Sequence, residues 1–99
     1  MGHEDEYTEF KKSTSELKEG MESIASILNK HGEGTLYFGV GPDGEVRGQD
    51  VSETTLRKIS QAIGNSIDPA IYPIVAHEKT PDGKDYVKVA FSGNDGPYA

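Results

Sequence analysis

The chain has 99 residues, a formal net charge of −7 and no cysteine. This length predicts one domain, residues 1–99, and the absence of cysteine excludes a disulfide framework and a thiolate metal site. No apolar run approaches the roughly 18 residues that span a bilayer, and the first residues are polar and acidic, so we expect a cytoplasmic domain with no signal peptide and no membrane partner.

The first half of the chain predicts a strand, a helix and a second strand. Residues 6–12 favour a strand because Tyr7 and Phe10 are strand formers. Ser13 and Glu16 have the spacing of a capping box, which begins a helix, and Gly32 is free to adopt the left-handed conformation that ends one. Between these signals, apolar residues recur at helical spacing and form a stripe to be buried: Leu17, Met21, Ile24, Ala25 and Leu28.

The second half predicts two hairpins separated by a helix. Residues 35–40 are almost continuously apolar, which is typical of a central, covered strand, and a turn at 41–44 leads to a return strand at 45–48. Ser52 caps a second amphipathic helix that ends before Pro69. Residues 71–79 and 85–92 predict the last hairpin. We therefore predict an α/β (α+β) fold in which a mixed sheet of about five to six strands packs against two amphipathic helices.

Acidic residues crowd the start of the chain, where Glu4, Asp5, Glu6 and Glu9 occupy six positions. Clustered carboxylates can hold Mg²⁺ or Mn²⁺, and an irregular strand start would bring Glu4 and Glu9 together. The alternative is a solvated acidic terminus, which is the usual state of a charge run. The three histidines are too far apart in sequence to form a zinc motif.

Basic residues near the first strand and helix are the candidates for phosphate contacts. They are Lys11, Lys12, Lys18 and Lys30, together with Arg47, and the alternative is that they are ordinary solvated side chains. Because the chain is acidic overall, a nucleic-acid role needs such a local cluster, other domains, or metal ions that bridge carboxylates to phosphate. The glycines at 39 and 41 precede a predicted strand rather than a helix, so they do not predict a phosphate loop.

Three segments together resemble the AlbA-like Schlafen domain, which has also been called a divergent ATPase domain. They are Glu4 with Glu9-Phe10-Lys11, residues 27–40, and residues 44–48. The family pattern is a Glu-Phe-Lys strand, a helix ending in Ala-x-x-Asn, a Gly-Gly-x-Leu-x-Ile-Gly-Val strand and an Asp-x-Gly turn. Pro97-Tyr98 also matches, so the resemblance covers essentially the whole chain.

The resemblance implies a nucleic-acid-binding module, for DNA more than RNA, in a bacterial transcriptional regulator. It also implies downstream domains in the same chain, such as a winged helix, in agreement with the lack of a final helix or strand. The contact edge would comprise Lys11, Lys12, Asn29, Lys30 and Arg47.

Two alternatives accompany this interpretation. In vertebrate Schlafens a carboxylate triad supports RNA cleavage, which implies a metal-dependent nuclease with Glu4 and Glu9 as catalytic metal ligands for Mg²⁺ or Mn²⁺. The third acid of that triad is replaced by Gly41, and Asp43 is the nearest substitute. The other alternative is a protein-interaction or homodimerisation domain, which would use exposed edge strands at residues 6–12 or 85–92.

Overall fold

The computed structural model describes residues 2–99, and Met1 lies outside the described residues. Its helices and strands, in chain order, are β1 (Thr8–Lys11), α1 (Leu17–His31), β2 (Glu33–Phe38), α2 (Glu53–Ser66), β3 (Ile74–Lys79) and β4 (Asp85–Ser92), with a 3₁₀ turn at Thr14–Glu16 before α1. The sheet has the order β1-β2-β4-β3, in which β1 is parallel to β2 and the other neighbours are antiparallel. The predicted mixed sheet with two helices is confirmed. Neither helix combines the length and apolar composition needed to cross a membrane.

The sheet formed by the described residues differs from the prediction in two respects. It has four strands rather than five or six, because residues 45–48 make only a single bridge, from Val46 to Val40. The backbone N–H groups of Arg47 and Gly48 both turn to the carbonyl of Gly39 instead of continuing a ladder. The prediction of an exposed edge at residues 85–92 was wrong, since β4 lies between β2 and β3.

The end of α1 and the start of α2 lie at residues that the local sequence identifies, whereas the predicted cap Ser13 begins the 3₁₀ turn before α1. The Glu16 carboxylate accepts a hydrogen bond from the backbone N–H of Lys12 at 2.9 Å. Lys12 directly precedes Ser13, the predicted cap. Gly32 ends α1 with a φ of 78°, a left-handed conformation that a glycine adopts without steric cost. Ser52 caps α2 in a reciprocal capping box.

The core lies between the helices and one face of the sheet. Its fully buried members include Ile24 and Ile59 from the helices and Leu36, Phe38, Val87 and Val89 from the strands. α1 approaches the sheet closely at Gly20, where a Cβ atom would lie 2.9 Å from the Phe38 ring. Burial of this apolar surface is the main stabilising contribution to the fold.

The alternation of strand side chains divides the polar residues between the two faces. Glu9 and Lys11 are paired in register with the buried Leu36 and Phe38, so they lie on the helix-covered face. Phe10 is paired with Tyr37 and lies on the opposite face. Neither helix packs on that second face, which we call the open face.

Candidate nucleic-acid interface

The parallel strands β1 and β2 end side by side, and residues 39–48 fold over their ends. We call this segment the strand-end loop. The backbone N–H groups of Gly39 and Val40 donate to the Lys11 carbonyl at 2.8 and 3.1 Å, and the Arg47 N–H donates to the Gly39 carbonyl at 2.8 Å. These bonds place Lys12 and Arg47 at the same end of the sheet.

Arg47 is positioned by two neighbours within the strand-end loop. Its Nη2 atom lies 3.3 Å from the Asp43 carboxylate, and its guanidinium occupies the space beside Gly41, where a Cβ atom would lie 2.5 Å from Nε. The backbone N–H of Glu45, followed by the Arg47 charge, lowers the pKa of Asp43 below 3.8, so this carboxylate is ionised at neutral pH. The Arg47 side chain remains 53% exposed, which leaves donors free for an anion.

Two other predicted contacts, Lys11 and Lys30, belong to an acidic region. The Lys11 ammonium lies 3.3 Å from the Glu9 carboxylate, and its side chain is only 14% exposed. Because α1 returns the chain from the end of β1 to the start of β2, Lys30 lies at the opposite end of the sheet from Lys12. The predicted basic residues therefore do not form one continuous edge.

Asn29, the fifth predicted contact, holds the C-terminal segment. Its Nδ2 donates to the Tyr98 carbonyl at 2.8 Å, and its Oδ1 accepts the Tyr98 N–H at 2.6 Å. The Tyr98 side chain is buried in the core, and its hydroxyl accepts the Asp95 N–H at 3.0 Å. The Asn29 amide thus fixes residues 95–98 against α1, and both of its polar atoms bond the protein's own backbone.

A groove of about 500 Å³ separates β1 from α1. Carboxylates dominate its lining, with Lys11 and Lys30 as the basic members; the acids are Asp5, Glu6, Glu9, Glu19 and Glu22. This lining repels phosphate at neutral pH, because like charges repel at short range. We call it the β1–α1 groove.

Glu4 folds back onto Glu9 beside this groove. Residues 5–8 form a turn in which the backbones of Asp5 and Thr8 bond each other at 3.3 Å, and the Asp5 carboxylate accepts the Tyr7 N–H at 2.8 Å. Burial, followed by the Glu9 charge, raises the pKa of Glu4 above 4.5. The irregular strand start expected from the sequence therefore does bring these two carboxyl groups together.

The described residues contain no group of three or more His, Cys, Asp or Glu side chains arranged to hold a metal ion. Asp43 pairs with Arg47 in the strand-end loop. Glu4 and Glu9 remain, although Glu9 also pairs with Lys11. Two carboxylates can hold Mg²⁺ only when water or substrate phosphates complete the coordination. The metal-ligand assignments of Glu4, Glu9 and Asp43 therefore stay predictions.

A protein-family model described as Schlafen, AlbA_2 matches residues 4–98. The chain belongs to this family. No curated protein and no solved structure shows a significant match to it. Schlafen AlbA_2 domains are often associated with nucleic-acid binding in transcriptional regulators. In this member, the position expected for a third acid is Gly41, and the Arg47 guanidinium fills the space beside it.

Sequence reasoning missed one feature of this Schlafen AlbA_2 domain, namely the aromatic rings Tyr37 and Tyr86 on the open face. The alternation of Val87, Val89 and Phe91 with polar neighbours does indicate that residue 86 faces away from the core. It does not reveal that β4 lies beside β2, which brings the two rings to a centroid distance of 6.3 Å.

Proposed function

We propose that this domain is a nucleic-acid-binding module of a transcriptional regulator and that Lys12 and Arg47 are its phosphate contacts. The observation that carries the proposal is the strand-end loop, which presents both cations at one end of the sheet. DNA is the expected partner, and downstream domains of a longer chain would contribute the remaining affinity.

The charges around Lys12 and Arg47 favour these two residues over Lys11 as phosphate contacts. Lys12 is exposed and makes no ion pair with any described residue, whereas Lys11 is neutralised by Glu9. Arg47 presents a planar set of donors that matches a phosphate, and its partner Asp43 is exposed enough to be displaced by a stronger anion. With two phosphate contacts, the isolated domain is expected to bind weakly, with a salt slope of only about −2.

The test compares two double variants with equal charge changes. Labelled DNA is titrated by fluorescence anisotropy at several salt concentrations with the wild type, with Lys12→Ala/Arg47→Ala, and with Arg57→Ala/Lys58→Ala on the exposed surface of α2. The first variant should lose affinity and reduce the salt slope by about 1 to 2, the value expected for two phosphate contacts. Equal losses in both variants would show that only the overall field matters and would refute the contact site.

A second candidate function is metal-dependent nucleic-acid cleavage, which the adjacency of Glu4 and Glu9 favours. Two carboxylates, water and substrate phosphates are a donor set that Mg²⁺ or Mn²⁺ accepts. These carboxylates would orient the ion, which would activate water and stabilise the leaving oxygen. Asp43 could join them only by leaving Arg47.

Cleavage is tested by incubating labelled RNA and DNA with Mn²⁺ and separating the products on a gel. Glu4→Gln and Glu9→Gln should each abolish cleavage if both carboxylates hold the ion, whereas Glu53→Gln, an exposed position on α2, should not. Metal-independent cleavage, or cleavage that persists in both variants, would exclude this site.

A further inference from the structure

The open face of the sheet carries a row of aromatic rings. Phe10, Tyr37 and Tyr86 come from β1, β2 and β4, which are neighbours in the sheet. Their ring centroids are 5.8 Å apart between Phe10 and Tyr37 and 6.3 Å apart between Tyr37 and Tyr86. Phe10 is buried, but Tyr37 and Tyr86 are partly exposed, so the row presents aromatic surface to solvent.

A cationic side chain lies beside this row, and the loop that carries another begins at its end. Lys88 is the cross-strand partner of Tyr37, is exposed, and makes no ion pair within residues 2–99. At the strand ends, a Cβ atom on Gly39 would lie 3.2 Å from the Cβ of Tyr86, and Gly39 is the residue whose carbonyl accepts the Arg47 N–H. The aromatic row is therefore continuous with the strand-end loop.

The other end of the open face is also apolar and uncovered. A depression of about 510 Å³ lies there, with Tyr7, Thr35 and Ala90 in its lining. Tyr72 and Ile74 border it and are 93% and 70% exposed. Large apolar side chains left in water on one surface mark an interaction site.

One cluster of acids lies on the opposite side of the sheet from the open face. Five carboxylates line the β1–α1 groove behind the sheet, whereas the strand positions of the open face include only Glu33 and Glu78. Burial, the Glu78 charge and Tyr37 raise the pKa of Tyr86 above 10.0. The Tyr86 hydroxyl thus stays protonated at neutral pH, and its ring adds no negative charge that would repel phosphate.

We infer that the open face binds single-stranded nucleic acid, with bases stacked on Tyr37, Tyr86 and Tyr72 and phosphates held by Lys88 and Arg47. The inference rests on the proposed function, because it extends the same strand-end site across the sheet. Stacking on aromatic side chains tolerates any base, and in this chain of net charge −7 the local cations Lys88 and Arg47 would contact the phosphates. A duplex does not fit this surface, since its base faces are already stacked on one another.

The binding test uses the 99-residue chain and a labelled mixed-sequence single strand, with the matching duplex as competitor. Tyr86→Leu keeps an apolar side chain but removes the ring face, and should weaken single-strand binding about 5- to 160-fold, the effect of losing one stacked base. Tyr72→Ala changes a side chain that is 93% exposed, so it tests stacking without a risk of unfolding. Lys88→Ala should weaken binding more than the matched exposed control Lys58→Ala.

A spectroscopic readout is available because the chain contains five tyrosines and no tryptophan. Single-strand binding should quench tyrosine emission in the wild type, and less so in Tyr86→Leu. Preference for duplex, or single-strand binding unchanged in Tyr72→Ala, Tyr86→Leu and Lys88→Ala, would overturn the inference while leaving the proposed function in place. The absence of binding to either form would overturn both.

Discussion

The substitution Asn29→Ala distinguishes a structural role from a nucleic-acid contact at one residue. The resemblance implies that Asn29 contacts nucleic acid, but its amide makes two hydrogen bonds, at 2.8 and 2.6 Å, with the backbone of Tyr98. Alanine at position 29 removes both bonds and leaves the helix propensity of α1 intact or improved. We therefore expect a loss of stability without a loss of binding.

The expected loss of stability follows from these two hydrogen bonds. Each intramolecular hydrogen bond contributes about 0.5–1.5 kcal/mol net, so their loss should lower the free energy of unfolding by about 1–3 kcal/mol. The lower part of this range applies if water reaches the freed Tyr98 backbone. For a domain of this size, a loss of about 2 kcal/mol lowers Tm by roughly 10 °C.

Urea denaturation followed by circular dichroism measures this change, with Asn65→Ala on the exposed surface of α2 as the control. Asn29→Asp adds a pH test, because its ionised form can accept the Tyr98 N–H but repels the Tyr98 carbonyl. Its folded-state pKa should be raised, so its stability should be highest below the unfolded-state pKa and fall as pH rises through the folded value. A stable Asn29→Ala protein with weakened nucleic-acid binding would refute the structural role.

Further substitutions test the packing, capping and electrostatics of the fold. Gly20→Ala should destabilise by about 1–3 kcal/mol, because its Cβ would lie 2.9 Å from an aromatic ring. Gly64→Ala, where a Cβ meets open space, should stabilise by up to about 1 kcal/mol; equal effects in urea denaturation would contradict the packing argument. Ser52→Ala removes the capping box of α2 and should lower the free energy of unfolding by about 1 kcal/mol. An unchanged urea midpoint would argue against a stabilising role for this cap. The His77 hydrogen bond lowers the pKa of Asp85 below 3.8. The contribution of ionised Asp85 to stability should therefore be present above pH 3.8 and disappear as pH falls through the lower pKa of the folded state. A stability difference between wild type and Asp85→Asn that grows on acidification would contradict this assignment.

The elements of this fold could be predicted from sequence where their signals are local. Gly32 and Ser52 mark helix ends by their own backbone and side-chain chemistry, and the alternation of residues 85–92 identifies β4 with its observed bounds. The order of the strands in the sheet is not indicated by any local signal. Since β1 occupies one edge of β2, the β3–β4 hairpin pairs with the other edge through β4, and alternation reports only which face is buried.

The distinction between local and non-local signals also applies to the candidate site. The crowding of acids within six positions predicts that Glu4 and Glu9 can meet, because a turn of a few residues suffices to bring them together. The pairing of Asn29 with Tyr98 spans 69 residues, and no spacing rule connects them. Lys30 and Lys12 lie at opposite ends of the sheet because α1 reverses the chain between two parallel strands.

The Glu-Phe-Lys segment of β1 divides its side chains between the two faces of the sheet, which bears on the proposed binding of nucleic acid by an acidic domain. Glu9 and Lys11 face the helix side, where they pair at 3.3 Å, while Phe10 lies on the open face beside Tyr37. Because successive strand side chains point to opposite faces, three adjacent residues contribute to two separate surfaces. The sheet itself separates the five carboxylates of the β1–α1 groove from the aromatic row, so the net charge does not describe the field at the open face. Glu9→Gln should therefore alter the β1–α1 groove and leave stacking on the open face unchanged.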